Sequence, residues 1–474
     1  MTRPTTDGHE RLGFHSLQTE TITQLPVEGD LPGWLSGSLV RNGPGSFRVG
    51  NDSVDHWFDG LAMLTRFTFD DGVQYANRFL RTDAYEAAQA GTFEGGFATG
   101  ESTLRDRLWN AVRGDAYDNA NIILERIGDE YLALTESPRW VQVDPTTLDT
   151  LGHRQYDGPV PSGDLACAHL KYDPERDVHV NVETAFGRQS HYHIYAMRAP
   201  DRRKLLASVP TDRPSYMHSF ALTPNYVVLT AFPFDVNPLA FFKPGRQGPF
   251  VENFQWRPDA GMTIYVVDRR GGGVVGEATA PAVFGFHHVN AFEDDGDVVF
   301  DLETLPDADA VDSLDLTALR AGELEAVAGR LDRYRISDPE GNLSIERTDR
   351  FATGTGLPTV SPATWLAEHR YVYAQGTNEP VTEWPRAVRK VDTADGETTD
   401  WTDGGPVSEP IFVPRPDGDA EDDGVVLTVM LDPDAERSLL VVLDAATMTE
   451  RARAPLPHAL PFDFHGRFFP ELGG

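Results

Sequence analysis

Cys167 is the only cysteine among 474 residues, which excludes internal disulfides and thiolate metal sites. Lysine is nearly missing too. Lys171, Lys204, Lys243 and Lys390 are the only four among 41 basic residues, against 74 acidic ones, and the formal net charge is −33. Such a surface repels nucleic acid and anionic lipid, so no nucleic-acid partner is expected. Nowhere do 18 uncharged apolar residues run together, and residues 1–8 lack the apolar stretch of a signal peptide, so a cytoplasmic chain that does not span a membrane is expected. There is no Pro/Ser-rich linker and no fixed-period repeat of the WD or kelch kind, which leaves one domain over residues 1–474. Nothing in the sequence sets an oligomeric state.

What is present is apolar and aromatic material, 40% and 10% of the chain, enough for a large globular core. The acidic residues are spread through many turns rather than gathered into a tail, a pattern expected of a halophilic protein in a salt-rich cytoplasm. There the Debye length falls to about 3 Å and the self-repulsion is screened.

Short β-branched or aromatic runs alternate with polar turns along nearly the whole chain, as in residues 64–69 and 73–79 around Asp70-Asp71-Gly72. Similar punctuation recurs at Gly128-Asp129, Arg270-Gly271-Gly272-Gly273, Pro339-Glu340-Gly341-Asn342 and Asp395-Gly396-Glu397. Many antiparallel hairpins in one unbroken chain predict an all-β fold, and a closed multi-bladed propeller over a set of stacked sandwiches. Helices are expected at residues 102–113, capped by Ser102, and at residues 312–326, with Leu314, Leu319 and Leu324 inward. Residues 232–256 are aromatic-rich but interrupted by prolines. Either a loop packs there on the core, or Phe241, Phe242 and Phe250 form an apolar lip that admits a greasy substrate or touches a bilayer.

The most informative stretch is Phe286-His287-His288-Val289-Asn290-Ala291-Phe292-Glu293, an apolar run entering the turn Asp294-Asp295-Gly296-Asp297. Alternation turns one of His287 and His288 inward and the other away. Three more histidines end apolar runs beside turns: His169, His218 and His465. A charged imidazolium is costly in such places, so all should be neutral, the state that binds metal. Neutral imidazoles suit Fe, Zn, Cu or Ni, and no clustered carboxylate supports a two-His-one-carboxylate plan. Glu136 and Glu409 lie in apolar settings as though buried, where they need partners, and a metal-bound His normally donates its other N–H to such a group. The rival ligand pair is His191 and His193, on one strand face.

These residues resemble the carotenoid cleavage oxygenase family, which includes apocarotenoid oxygenases, β-carotene-cleaving enzymes and the retinal pigment epithelium isomerase. Gly37-Ser38-Leu39-Val40-Arg41-Asn42-Gly43-Pro44 and His56-Trp57-Phe58-Asp59-Gly60 resemble its opening blocks. Ala168-His169-Leu170-Lys171-Tyr172-Asp173-Pro174, Met217-His218-Ser219-Phe220, the run from Phe286 to Glu293 and Phe464-His465-Gly466 resemble its four histidine blocks. Ser408-Glu409-Pro410-Ile411-Phe412-Val413-Pro414 follows in order, and the match covers most of the chain. The resemblance implies a seven-bladed β-propeller with short helices and loops capping one face. It also implies Fe(II) on the axis, held by His169, His218, His287 and His465. The family's ligand is the His three before Asn, which makes it His287. The family's three carboxylate partners would include Glu136 and Glu409. The third normally opens a Glu-Phe-Pro block where this chain has Gly356-Leu357-Pro358, leaving Glu346, Glu379 or a water to substitute. The implied function is a non-haem Fe(II) dioxygenase using O2 to cleave a C=C bond of a carotenoid or apocarotenoid to aldehyde or ketone products, with peripheral membrane contact for uptake of the polyene. The alternatives are a stilbene-cleaving oxygenase, an isomerase, and a non-catalytic polyene-binding propeller.

Overall fold

The computed structural model describes residues 10–93, 96–99, 117–154, 160–239 and 248–473. Within them the turns identified in the sequence fold the chain into hairpins. In the turn after the two histidines, for example, Asp295 and Gly296 take φ of 49° and 89°, the left-handed pair that a tight two-residue hairpin needs. Seven antiparallel sheets of four or five strands follow one another in chain order among the described residues. Numbered from the N-terminal one, they are the seven blades of a β-propeller, confirming the fold expected from the resemblance.

Closure is double. Glu28–Gly29 pairs with Glu450–Pro455 of blade 7, and His465–Phe469 pairs with Gly37–Ser46 of blade 1, setting Asn42 opposite His465. Each end of the chain thus completes the other end's sheet, tying the first and last blades together at the seam.

Strands alternate their side chains between two faces, so every blade must bury both. The buried apolar residues fall into clusters that match the seams between blades. One joins Phe67 and Tyr75 of blade 1 to Leu427 and Leu440 of blade 7, and another joins Val228 and Ile264 of blade 4 to Phe300 and Tyr334 of blade 5. A further cluster lies over one face of the ring, where Phe14, Trp57, Leu316, Leu319, Trp384 and Phe462 pack together. Of the short helices, Asp83–Gln89 and Leu316–Ala321 contribute Ala88, Leu316 and Leu319 to this cap, whereas Asp309–Asp312 packs Val311 into the cluster between blades 4 and 5. The helix expected over 312–326 is shorter, reduced to Leu316–Ala321, with the separate short helix Asp309–Asp312 ahead of it. Asp315 caps Leu316–Ala321 through the Ala318 N–H, and left-handed Gly322 ends it, as helix-capping chemistry dictates. The helix expected at 102–113 lies outside the described residues.

No helix among the described residues is long and apolar enough to cross a membrane.

Candidate metal centre

The innermost strands of the blades surround the propeller axis, and side chains at their ends point into it. His169 lies between Leu165–Ala166 and Lys171–Asp173 of blade 3, and His218 precedes Ala221–Leu222 of blade 4. His287 precedes His288–Asp294 of blade 5, and His465 opens the closing strand of blade 1. The structure brings these four together: one ring nitrogen from each lies within 4.8 Å of the others. His169 Nε2 and His465 Nε2 are 3.1 Å apart. Two donors bound side by side at metal–nitrogen distances of about 2.1 Å sit about 3 Å apart, so this spacing fits one shared ion.

Burial keeps three of these rings neutral. It pushes His169 and His465 well below the ordinary imidazole range, helped by neighbouring imidazoles. It brings His287 down to about 4, with Glu303 pulling the other way. Unprotonated imidazoles in one buried cluster are a donor set for a first-row divalent cation.

Three of the four turn their other nitrogen toward a carboxylate. His218 Nδ1–H donates to Glu136 Oε1 at 2.6 Å, His465 Nδ1–H to Glu409 Oε1 at 2.8 Å, and His287 Nδ1–H to Glu303 Oε2 at 2.5 Å. Each bond fixes a tautomer whose Nε2 lone pair faces the cluster. Tyr216 O–H also donates to Glu136 Oε1 at 2.6 Å, and Gly466 N–H to Glu409 Oε2 at 2.7 Å. Burial pushes Glu409 up to about 8 despite fully buried Arg41 beside it, whose Nη1–H donates to the Glu409 carbonyl at 2.9 Å.

Neither Glu346 nor Glu379 replaces the Glu absent at 356, since both are exposed; buried Glu303 does. His288 turns away from the cluster, to Ser219 Oγ at 2.9 Å and Thr230 Oγ1 at 2.8 Å. The rival pair His191 and His193 stack 5.7 Å apart on the strand Ser190–Ala199, outside the cluster. Asp83, Asp118 and His153 also gather, but the Arg139 guanidinium lies 2.8 Å from Asp83 and 3.9 Å from Asp118, and so already supplies the cation there.

A cavity of about 900 Å³ leads to the cluster beneath the cap. Trp57, Phe58, Phe97, Tyr216, Phe286 and Phe464 form much of its wall, and His218, His287 and His465 reach it. Phe250 lines this cavity beside Leu239, which is 65% exposed, and so does Val327, which is 48% exposed. Phe241 and Phe242 lie outside the described residues.

The retinal pigment epithelial membrane protein family model matches residues 14–470. A carotenoid isomerooxygenase of Galleria mellonella is 33% identical over 94% of this chain and 93% of its own length. The chloroplastic carotenoid cleavage dioxygenase 8 of Arabidopsis thaliana is 31% identical over 94% and 84%. A solved structure of Synechocystis apocarotenoid oxygenase superposes with a TM-score of 0.85 at 28% identity, covering 99% of this chain and all of that one. Its cobalt-substituted form gives 0.83 at 29% identity over 97% and 98%. With the same propeller and with curated relatives matched along nearly its whole length, the chain belongs to the carotenoid cleavage oxygenase family.

Proposed function

We propose that this chain is a non-haem Fe(II) dioxygenase that cleaves a C=C bond of a carotenoid or apocarotenoid into two carbonyl products. The observation that carries this reading is four imidazoles clustered within reach of one ion, three of them opening onto a large aromatic cavity. His169, His218, His287 and His465 would hold the ion. Iron, when bound, supplies the dioxygen chemistry, its 2+ charge uncompensated by four neutral donors.

The chain's own side chains do the rest. Glu136, Glu303 and Glu409 hold the Nδ1–H of three ligands and so fix their rings. Phe58, Phe286 and Phe464, with ring centroids 5.7 to 6.0 Å apart around Phe58, wall a polyene beside the centre and exclude bulk water. Leu239, Phe250 and Val327 form an apolar mouth suited to taking substrate from a membrane surface. Cleavage of a stilbene needs Tyr and Lys groups to grip a phenol, and no Lys among the described residues lines this cavity.

The test is incubation of the iron-loaded protein with a panel of carotenoids and apocarotenoids under 18O2. Chromatography and mass spectrometry should show labelled aldehydes or ketones from at least one of them. Unlabelled geometric isomers would instead establish isomerisation, and binding without turnover a polyene carrier.

A further inference from the structure

Glu303 reaches its histidine by a route unlike that of the other two carboxylates. Glu136 and His218 are 82 residues apart and Glu409 and His465 are 56 apart, each pair joining different blades. Glu303 and His287 are 16 residues apart on the two arms of one hairpin, His287 just ahead of its strand, where Glu303 N–H also donates to His287 O at 3.0 Å. Two glycines bound the space its side chain fills. A Cβ on Gly329 would lie 2.9 Å from Glu303 Oε1 and 2.2 Å from Thr355 O, so that position must stay bare. A Cβ on Gly356 would meet nothing nearer than Gln375 Oε1 at 3.5 Å and Glu303 Oε1 at 3.8 Å, both ordinary contacts. Gly356 belongs to the first strand of blade 6, Thr355–Thr359, and its φ is not left-handed. A glutamate spans roughly 3.5 Å from Cβ to a carboxylate oxygen at ordinary bond lengths. A glutamate side chain at position 356 is therefore long enough to bring its carboxylate to the place Glu303 Oε1 now occupies.

We propose that positions 303 and 356 are alternative carriers of a single carboxylate that orients His287, and that this chain uses the carrier on the histidine's own hairpin. Glu303 is thus a positioning residue, acting through His287 Nδ1. Gly356, left bare, opens its share of space to the cavity that both residues line. The proposal rests on the reading of the four-histidine cluster as the metal centre.

The test uses the full-length, metal-free protein titrated with Co(II) against a competing chelator, read by the visible ligand-field spectrum. Glu303→Ala should weaken cobalt binding about 10–100-fold, the usual cost of losing such a partner. Glu303→Gln, which keeps an acceptor but no charge, should fall between it and wild type. The double variant Glu303→Ala/Gly356→Glu should recover most of the lost affinity together with the wild-type spectrum. Wild-type binding by Glu303→Ala, or a double variant no tighter than the single one, overturns the proposal. If Glu303→Ala unfolds, Glu303→Gln with and without Gly356→Glu makes the same comparison. His169→Ala and His465→Ala separate the two levels. If they bind cobalt as wild type does, the metal-centre reading itself fails; if they lose it while Glu303 variants do not, only the present inference does.

Discussion

Asp301 has no exposed side-chain surface, and Arg333 donates to both its oxygens at 2.7 and 2.8 Å while His369 Nε2 lies 2.9 Å away. Arg333 and His369 hold its carboxyl below the usual range against the cost of burial. Asp301→Asn strands a guanidinium, so unfolding by denaturant should show a loss of about 3 kcal/mol, the low end for a broken buried pair. A second expectation concerns acid. Burial against Tyr172, at a ring-centroid distance of 4.8 Å, brings His179 down to about 4. The unfolded chain binds a proton there between about pH 6.5 and 4 while the folded one does not, so stability falls as pH drops through that window and is flat above it. His458, partly buried, adds in the same direction. Urea midpoints of the metal-free protein at about pH 7.5 and about pH 5 should differ in that sense, and less so in His179→Gln. At this scale much was legible in the sequence, because a histidine ending an apolar strand is a local pattern. Alternation alone, however, left His287 and His288 equivalent until Ser219 and Thr230 were seen to hold the second.

The hairpin His288–Asp294/Asp297–Thr304 shows why Glu303 escaped the sequence reading. Counting back from the turn, where Asp294 faces Asp297, places Asn290 opposite Asp301. A regular ladder would go on to set Glu303 opposite His288. An irregularity between His288 and Asn290 shifts the register, so that His288 faces Leu302 and Glu303 falls beside His287. A bulge inserts one residue and reverses which side chain meets which, and nothing in the residue types announces it. The closing strand His465–Phe469 carries a different expectation. It carries the proposed ligand His465 and forms blade 1's inner edge, so a chain lacking residues 465–474 should lose both cobalt binding and the cooperative thermal transition. Retention of a sharp transition would show that the ring holds without it.

For the molecule as a whole, the strand-rich character and the closed propeller were legible, but the cap and the number of blades came from the resemblance. Each blade packs against a different pair of neighbours and the seams hold different residues, so no repeat survives in the sequence for counting. The net charge of −33 leads to the last expectation, that the melting temperature rises between dilute buffer and multimolar KCl as the repulsion is screened; equal values would refute it. The double lacing of the ring also has a bearing on biosynthesis. The fourth histidine of the cluster, His465, is translated 178 residues after the third, and it opens the strand that pairs with Gly37–Ser46. If the four histidines hold iron as proposed, a nascent or misassembled chain carries an incomplete coordination set and cofactor loading waits until the circle has shut, so metal content would directly report correctly finished molecules.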